Sequence, residues 1–338
     1  MALTSRRAAP PAGADVTKGS HVPPGGGTGV TPVAAARPNK RPPNRFLLPL
    51  LLPAVLLLAL LSIYPLGWLI YMSFNAVGLA PGAPNDYVGG DNWARLIRDP
   101  QYWDSWLILA KYSAVCMILE VGLGTVLAVL LNKAKNEKLL ITILLMPMMM
   151  APVVAGMLWQ YLYNGTFGWY YWVLRSLGLL DGGTILGSPE LALWAIVAVD
   201  VWEWTPLVAL IVLSGLKLVP QDQMEASWMD GAGPVRSFFQ VALPSIKSSL
   251  LIAILLRFMD NIRIIDHFIA LTGGGPANST KLLPLYLYEQ SFSFFELGYG
   301  SSIALTLLLV TILLGKLVVA SFEEKEPSRR TKAEEPLT

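Results

Sequence analysis

Charged side chains are scarce in this sequence, and their scarcity excludes a water-soluble globular domain. Asp, Glu, Lys and Arg together make up 14% of the 338 residues, whereas hydrophobic residues make up 54%. Soluble domains carry about a quarter charged residues. The chain therefore has too little polar surface to face water on all sides, and its composition predicts an integral membrane protein.

Cysteine and histidine are almost absent. The single Cys116 cannot form an intrachain disulfide, and the two histidines, His21 and His267, are too few and too far apart for a histidine-based metal site. The sequence also lacks a Gly-x-x-x-x-Gly-Lys-Ser/Thr phosphate-binding loop, a His-Glu-x-x-His zinc motif and a Gly-x-Ser-x-Gly nucleophile motif. We therefore expect no metal, no catalytic site and no ATP-binding loop of that kind on this chain.

The first part of the chain differs in composition from the middle. Residues 1–45 are rich in Pro, Gly, Ala and Thr and show no apolar periodicity. Such a segment cannot bury enough apolar surface to offset the entropy of ordering, so we predict a disordered cytoplasmic tail that is dispensable for function. We assign residues 323–338 to a second, C-terminal cytoplasmic tail.

Six apolar segments lie between the tails, and each is long enough to cross about 30 Å of hydrocarbon with roughly 20 helical residues. We place them near 46–73, 107–132, 139–163, 191–215, 247–270 and 299–322. The first is too long for the apolar region of a signal peptide and has no small-residue cleavage site after it, which predicts an uncleaved helix. The predicted fold is all-α, with six transmembrane helices in one domain over 46–322.

Lysine and arginine are distributed unevenly between the predicted loops. They concentrate in the tails and in the loops after the second and fourth helices, whereas the opposite side holds only Arg95, Arg98, Arg175 and Lys281. Because loops rich in Lys and Arg stay in the cytoplasm, this pattern predicts a multi-pass protein of a bacterial-type inner membrane with both termini cytoplasmic. The run Trp169-Tyr170-Tyr171-Trp172 in an external loop predicts a short helix at the outer membrane surface.

The cytoplasmic loop at 222–244 is polar but patterned. Asp222 and Glu225 have the spacing of a capping box, which would begin a short helix. Met224 and Trp228 are four residues apart and would form one apolar edge of that helix, directed toward a partner.

A second short helix is predicted in the same loop. The run Gly231-Ala232-Gly233 would end the first helix, and Pro234 suits the first turn of the next one. Pro244 would mark the end of this second helix. The loop is thus predicted to be a small helix–turn–helix between two membrane spans.

This loop resembles the EAA motif of binding-protein-dependent ABC transport permeases. The matching runs are Glu225-Ala226-Ser227, Gly231-Ala232 and Val241-Ala242-Leu243-Pro244, with Ser227 in place of the usual second alanine. The run Leu271-Thr272-Gly273-Gly274-Gly275-Pro276 is similar to the sugar and polyol branch of the family. The resemblance implies a coupling helix that docks into a groove of an ATP-binding subunit, whereas the alternative is an ordinary amphipathic connector. The residues so assigned are Glu225, Ala226, Ser227, Asp230, Gly231, Ala232 and Pro244.

The resemblance further implies the type I ABC importer arrangement and its partners. These are a second permease subunit, homologous rather than identical, two ATP-binding subunits that hold ATP and Mg, and an extracytoplasmic substrate-binding protein. The chain itself would hold no cofactor and form half of a sugar or polyol pore that works by alternating access. Two alternatives stay open: a secondary transporter that uses Asp260 and Asp266 as ion sites, and a membrane enzyme or scaffold.

Polar side chains interrupt the fifth apolar segment. An ionised side chain at the bilayer centre costs roughly 2.5–3.5 kcal/mol, so these groups cannot face lipid. Either they form ion pairs, Arg257 with Asp260 and Arg263 with Asp266, or they line a wet path for the substrate. The residues assigned to that path are Arg257, Asp260, Asn261, Arg263 and Asp266, together with Asp200, Trp202, Glu203 and Trp204 of the fourth helix.

The fourth helix combines carboxylates with indole rings. Asp200 and Glu203 could accept hydrogen bonds from the hydroxyls of a polyhydroxylated ligand, and Trp202 and Trp204 could cover its C–H faces. Anchoring at the membrane interface explains the two tryptophans equally well. Glu120 is a lone acid in the second helix, and a basic residue of the fifth helix is its candidate partner.

Overall fold

Helices make up most of the chain. The computed structural model describes residues 47–78, 82, 85–178, 180 and 183–322, so both predicted tails, 1–45 and 323–338, lie outside the described residues. The chain divides into two units, Met1–Leu57 and Leu58–Thr338. The described part of the first unit is the beginning of the first helix.

The helices differ widely in length. In chain order they are α1 (Leu47–Ser73), α2 (Asp91–Arg98), α3 (Pro100–Asn132), α4 (Glu137–Leu145), α5 (Pro152–Leu162), α6 (Trp169–Ser176), α7 (Ala192–Leu216), α8 (Gln221–Met229), α9 (Pro234–Ser237), α10 (Leu243–Ser245), α11 (Lys247–Ile262), α12 (Asp266–Leu271), α13 (Leu283–Tyr288) and α14 (Leu297–Phe322). A 3-10 turn spans Pro147–Met149, and π-helical turns span Phe238–Ala242 and Glu289–Ser293. The short helix predicted from the aromatic run is present as α6.

Four of the described helices are long and apolar enough to cross a membrane. These spans are Leu51–Ser73, Pro100–Asn132, Ala192–Leu216 and Leu297–Ser321. They correspond to the first, second, fourth and sixth apolar segments of the sequence, and those four predicted helices are confirmed.

The third predicted segment, 139–163, is not one helix. α4 ends at Leu145, a 3-10 turn follows, and α5 begins at Pro152. Proline has no N–H to donate, and its ring clashes with the carbonyl four residues earlier. Pro147 and Pro152 therefore interrupt the helical hydrogen bonds, and the expectation of a continuous helix was wrong.

The fifth predicted segment, 247–270, is also divided. α11 ends at Ile262 and α12 begins at Asp266. Upstream, the helical stretch Pro234–Ser245 meets Lys247–Ile262 at an angle of 72°. If that bent pair is one span, the described residues contain five candidate spans rather than the six predicted.

The centre of the fold is the packing of α3 on α7. Buried residues of α3 recur every three or four positions, as one face of a helix requires; they are Tyr102, Ser105, Leu109, Tyr112, Cys116, Glu120, Gly124, Ala128 and Leu131. A Cβ atom at Gly124 would lie 2.7 Å from Cγ1 of Val208 and 3.1 Å from the backbone nitrogen of Ala209. The two helices therefore approach this closely only because residue 124 has no side chain.

The first helix shows the opposite pattern. From Leu58 onward most side chains of α1 point outward; Leu61 and Ile63, for example, are 63% and 67% exposed. An apolar helix with all its backbone groups bonded internally is stable in hydrocarbon, where exposed leucine and isoleucine carry no penalty. Its exposure is therefore what a lipid-facing span requires.

A small hairpin follows α1. β1 (Asn75–Val77) pairs antiparallel with β2 (Asn85–Tyr87), with Asn75 opposite Tyr87. The side-chain amide of Asn92 donates to the backbone carbonyls of Ser73 and Asn75, both at 3.0 Å. These bonds fix the hairpin against the beginning of α2.

Asp99 joins the beginning of α3 to two other helices. Its carboxylate accepts from the backbone N–H of Gln101 at 2.9 Å and from the hydroxyls of Tyr286 and Tyr299. Partial burial raises the pKa of Asp99, but the tyrosine and backbone hydrogen bonds outweigh it and hold this pKa below its usual value. The ionised carboxylate thus ties α3 to α13 and α14.

Candidate functional site

The first helix of the loop 222–244 begins differently from the prediction. α8 begins at Gln221 with Pro220 at the cap position, and no side chain bonds the free N–H groups there. Pro220 already takes the extended conformation of a cap, so Asp222 lies inside the first turn. The predicted capping box of Asp222 and Glu225 is wrong, although the charge of Asp222 still favours the positive end of the helix dipole.

The turn after α8 agrees with the prediction. Gly231 has a φ of +80°, which strains any residue with a side chain. The N–H of Gly231 donates to the carbonyl of Trp228, and that of Ala232 donates to Ser227, each at 3.0 Å. These bonds close the helix, and Pro234 opens α9 as expected.

Pro244 does not end the second helix of the loop. The chain stays helical through the π-helical turn Phe238–Ala242 and α10, and Pro244 lies in the first turn of α10. Pro244 thus lies within the helical stretch Pro234–Ser245, one residue before its last residue. The direction of the chain changes at Ile246 instead, where the 72° bend leads into α11.

The side chains of α8 face two ways. Met224 is partly buried against the apolar residues that join α3, α7 and the loop, so it does not share an exposed edge with Trp228 as predicted. Trp228 and Met229 are 54% and 88% exposed, and Glu225 is also exposed. Exposed tryptophan and methionine side chains next to each other are typical of a surface that binds another protein.

Ser227 links the two helices of the loop. Its hydroxyl bonds the hydroxyl of the buried Ser237 at 2.8 Å and donates to the carbonyl of Met224 at 2.7 Å. The residue that departs from the motif's usual alanine therefore has a structural contact of its own.

Arg257 of α11 lies at the centre of a group of buried ionisable side chains. Its Nε and Nη2 donate to the two carboxylate oxygens of Glu120 at 2.6 and 2.8 Å. Nη2 also donates to Asp200 at 2.9 Å and to Asn261 at 2.8 Å, and the guanidinium carbon lies 4.9 Å from the ring centroid of Trp204. Arg257 therefore joins α3, α7 and α11 through charge-assisted hydrogen bonds.

The group continues to α12 through His267. Its Nε2 lies 2.8 Å from Oε2 of Glu203, and its Nδ1 lies 3.6 Å from Oδ1 of Asp200. We call the whole group the buried ionic cluster, and none of its members is more than 1% exposed. Its members are Glu120, Asp200, Glu203, Arg257, Asn261 and His267.

The residues predicted to line a substrate path are divided between interior and surface. Asp200, Glu203, Arg257 and Asn261 are buried, Trp202, Trp204, Asp260 and Asp266 are partly buried, and Arg263 is exposed. Their role in a path stays a prediction. The structure nevertheless separates those that hold helices together from those that reach the surface.

The predicted ion pairs are rearranged. The expected pair of Arg257 with Asp260 is present only as a long contact of 4.0 Å, because Arg257 makes shorter bonds to Glu120 and Asp200, and Asp260 accepts from Arg263 at 2.6 Å. The expected pair of Arg263 with Asp266 is wrong because α11 ends before Arg263 and α12 begins at Asp266, so the two do not share a helical turn.

Part of the buried ionic cluster is predictable from the sequence. The expectation that Glu120 pairs with a basic residue of the fifth segment is confirmed by Arg257. The contacts of His267, Tyr112 and Cys116 with this region are not predicted from the sequence. The available signal was the four-residue spacing of Tyr112, Cys116 and Glu120, which places them on one face of α3.

Three members of this region have the spacing of metal ligands. Sγ of Cys116 and carboxylate oxygens of Glu120 and Asp200 lie within 4.8 Å of one another. However, the guanidinium of Arg257 already bonds both carboxylates, and its positive charge disfavours a second cation. The donor set therefore fits an ion-pair network rather than a metal centre.

Comparison with known proteins agrees with this architecture. The chain is 32% identical over 279 residues to the sulfoquinovosyl glycerol transport system permease protein SmoG of Agrobacterium fabrum, a match that covers 82% of this chain and 90% of that protein. It is 32% identical over 273 residues to the trehalose/maltose transport system permease protein MalF of Thermococcus litoralis, covering 80% and 90%.

A solved structure shares the fold. A chain in the crystal structure of a bacterial ABC transporter involved in the import of the acidic polysaccharide alginate matches with a TM-score of 0.71 over 82% of this chain and 95% of that chain, at 16% identity. The family described as "binding-protein-dependent transport system inner membrane component" matches residues 120–325. The chain therefore belongs to this family of multi-pass membrane permease subunits, which are transport components rather than enzymes.

Proposed function

We propose that this chain is the permease subunit of an ABC importer for a sugar or polyol and forms half of the translocation pore. The main support is its similarity to SmoG and MalF, whose names give sulfoquinovosyl glycerol, trehalose and maltose as transported solutes. The glycine-rich run 271–276 is similar to the sugar and polyol branch of these permeases, and this similarity agrees with a carbohydrate substrate.

The loop 222–244 is the proposed contact with the ATP-binding subunit. The exposed Glu225, Trp228 and Met229 provide a mixed apolar and acidic patch, and the hydrogen bond between Ser227 and Ser237 keeps α8 fixed on α9. The loop is also tied to the bundle, since Met224 packs against the apolar residues at the ends of α3 and α7. A movement of α8 imposed from outside would therefore be transmitted to the spanning helices.

We propose six membrane passages. α1, α3, α7 and α14 would each cross as single helices, α4 with α5 would cross as a broken pair, and α11 with α12 would cross as a second broken pair. Broken helices are tolerated at membrane depth where they are covered by protein. α12 packs on α5 and α7 and supplies such cover, because His267 and Phe268 are fully buried there.

The remaining partners follow from the proposed assembly. A homologous second permease would complete the pore, two ATP-binding subunits would hold ATP and Mg, and an extracytoplasmic binding protein would deliver the solute. Closure of the ATP-binding subunits would move α8, and the two pore halves would alternate between outward and inward access. With an even number of passages, the Lys- and Arg-rich termini would both lie in the cytoplasm.

Uptake by the complex reconstituted in vesicles tests the proposal. Solute accumulation should require ATP hydrolysis and the binding protein, and Glu225→Lys should abolish it together with co-purification of the ATP-binding subunits. Glu190→Lys is the matched control, because it makes the same charge reversal at an exposed residue outside the loop. Uptake driven by an ion gradient without ATP would contradict the importer, and normal uptake by Glu225→Lys would contradict the coupling contact.

A further inference from the structure

Both ring nitrogens of His267 face carboxylates in the interior of the fold. Nε2 is 2.8 Å from Oε2 of Glu203, and Nδ1 is 3.6 Å from Oδ1 of Asp200. A neutral imidazole has a single N–H, so its other nitrogen would direct a lone pair at a carboxylate oxygen. Only the imidazolium form carries an N–H on both nitrogens and matches acceptors on both sides.

The charges of the buried ionic cluster lead to the same form of His267. Three carboxylates, those of Glu120, Asp200 and Glu203, surround a single guanidinium, that of Arg257. An uncompensated charge in a protein interior costs several kcal/mol. With all three acids ionised, a proton on His267 reduces the excess negative charge from two to one.

Two buried atoms without a hydrogen-bond partner face each other on the side of His267 away from Glu203. Nδ1 of His267 and Oδ1 of Asp200 are both buried, and neither has a hydrogen-bond partner among the described residues. They face each other 3.6 Å apart, which is longer than a hydrogen bond but short enough for an ion pair. An N–H at Nδ1 would give both atoms their missing partner after a shift of about half an ångström.

We propose that His267 is a buried proton-binding site, held as imidazolium between Glu203 and Asp200, and that the bound proton fastens α12 to α7. This inference stands apart from the transport function, since it rests on the interior of a single chain. The break at 263–265 leaves α12 without helical continuity to α11. The contacts of His267 with two acids of α7 therefore supply an attachment that the backbone does not.

Titratable and charged side chains surround His267 on several of the helices near it. They are Tyr112, Cys116 and Glu120 on α3, Asp200 and Glu203 on α7, Arg257 on α11 and Asp266 on α12 itself. α5 packs on the remaining side of α12, and its sequence contains no acidic, basic or histidine side chain. Arg257 is the single permanent cation among them, and its donors are directed at Glu120, Asp200 and Asn261 rather than at His267.

Nitrogen-15 NMR of the histidine rings tests the proposal directly. The chain has two histidines, so a His21→Asn variant labelled at histidine nitrogen reports on His267 alone. An ordinary histidine is mostly neutral at pH 7.5. We expect His267 in the full-length protein to show two protonated nitrogens at that pH, and one protonated with one unprotonated nitrogen would overturn the proposal.

One variant and one control test whether the charge of Glu203 stabilises the imidazolium form of His267. Glu203→Gln removes the charge that faces Nε2 and should shift the histidine to one protonated nitrogen at pH 7.5. Asp260→Asn removes a nearby carboxylate that bonds Arg263 instead, and it should leave both nitrogens protonated. A doubly protonated ring in Glu203→Gln would contradict the assignment of Glu203, and should that variant not fold, the spectrum of the His21→Asn chain still decides the proposal.

Discussion

Arg257 on α11 and Glu120 on α3 form a bidentate ion pair, although 137 positions separate them in the sequence, and both side chains are buried. Two helices that are far apart in the chain are thus joined by charges with no access to water. The attraction between such charges roughly offsets the cost of desolvating them, so the pair adds little net stability. Removing one partner, however, leaves the other uncompensated.

Arg257→Met should therefore destabilise the fold by about 3–5 kcal/mol. The reason is that Glu120 and Asp200 would remain buried without their cation. Denaturation of the purified protein in detergent measures the loss. Arg263→Met is the control, because this arginine is exposed and its pair with Asp260 should contribute at most about 1 kcal/mol.

A double variant separates loss of the pair from loss of packing. Glu120→Gln removes the buried carboxylate that Arg257→Met strands, so the two changes together should destabilise the fold by less than the sum of the single changes. Their interaction energy should be in the range of about 0.5–3 kcal/mol for residues in direct contact. Strict additivity would show that the pair is not coupled in the folded protein.

Gly124 and Gly122 form a matched pair on one helix. Gly124→Ala places a methyl group against Val208 and should destabilise the fold by about 1–3 kcal/mol through overpacking of α3 on α7. Gly122 has open space where its Cβ would lie, so Gly122→Ala should be neutral or stabilising. Midpoints of thermal unfolding in detergent compare the two, and equal effects would contradict the close approach.

The sequence could predict the helices that are apolar without interruption, but not the broken ones. α3 and α7 follow directly from hydropathy, since their apolar character outweighs the helix-disfavouring Gly122 and Gly124 of α3 and Pro206 and Gly215 of α7. The segment 139–163 has the same apolar character, and its break depends on two prolines whose effect hydropathy does not register. The break at 263–265 has no proline and no glycine, so local propensity gave no sign of it; what accompanies it is the tertiary contact of His267 with α7.

The candidate site likewise contains residues that the sequence predicts and contacts that it does not. The motif residues of the loop 222–244 were identified from a local pattern, and the structure brings most of them to one exposed helix and its turn. The partner of Arg257 depends on which face of α3 packs against α11. This packing cannot be read from the sequence of either helix alone. Spacing within the fifth segment suggested Asp260, while the acids that bond Arg257 lie on other helices.

Ser227→Ala tests the link between α8 and α9. The change restores the usual residue of the motif but leaves the buried Ser237 with only a 3.5 Å contact to Ala232, so we expect a local loss of about 1 kcal/mol. Hydrogen exchange of the amides in 221–237 should become faster while uptake is retained. Ser245→Ala is the control, since its exposed hydroxyl bonds its own turn; unchanged exchange in Ser227→Ala would contradict the role of the link.

The pKa of Asp99 predicts a dependence of stability on pH. A carboxyl with a folded-state pKa below its unfolded value of about 3.9 contributes stability above that pH and loses it as the pH falls through the folded pKa. The difference in melting temperature between the wild type and Asp99→Asn should therefore be constant from neutral pH to about pH 5 and shrink below about pH 4. Tyr286→Phe removes one donor and should reduce the difference at neutral pH. A difference that grows on acidification would contradict the assignment.

Cysteine accessibility across 257–267 tests which side of α11 meets water. The single native cysteine, Cys116, is fully buried, so the background reaction with a polar, membrane-impermeant thiol reagent should be negligible. Arg263→Cys should react, because a charged side chain 75% exposed at membrane depth requires water rather than lipid around it. Asn261→Cys should be protected in the resting complex, since Asn261 is enclosed with Arg257.

The same scan in the presence of ATP and binding protein tests the substrate path. If the polar side of 257–267 borders the pore, protection of Arg263→Cys by transported solute should appear in at least one state, while reaction of Asn261→Cys stays slow throughout. Should no position from 257 to 267 react in any state, these charges serve only to join helices. The path would then have to run along α5 and α7. Asp200 and Glu203 of α7 point into the cluster with Arg257 and His267. The partly buried Trp202 and Trp204 of the same helix would therefore be the positions to label next.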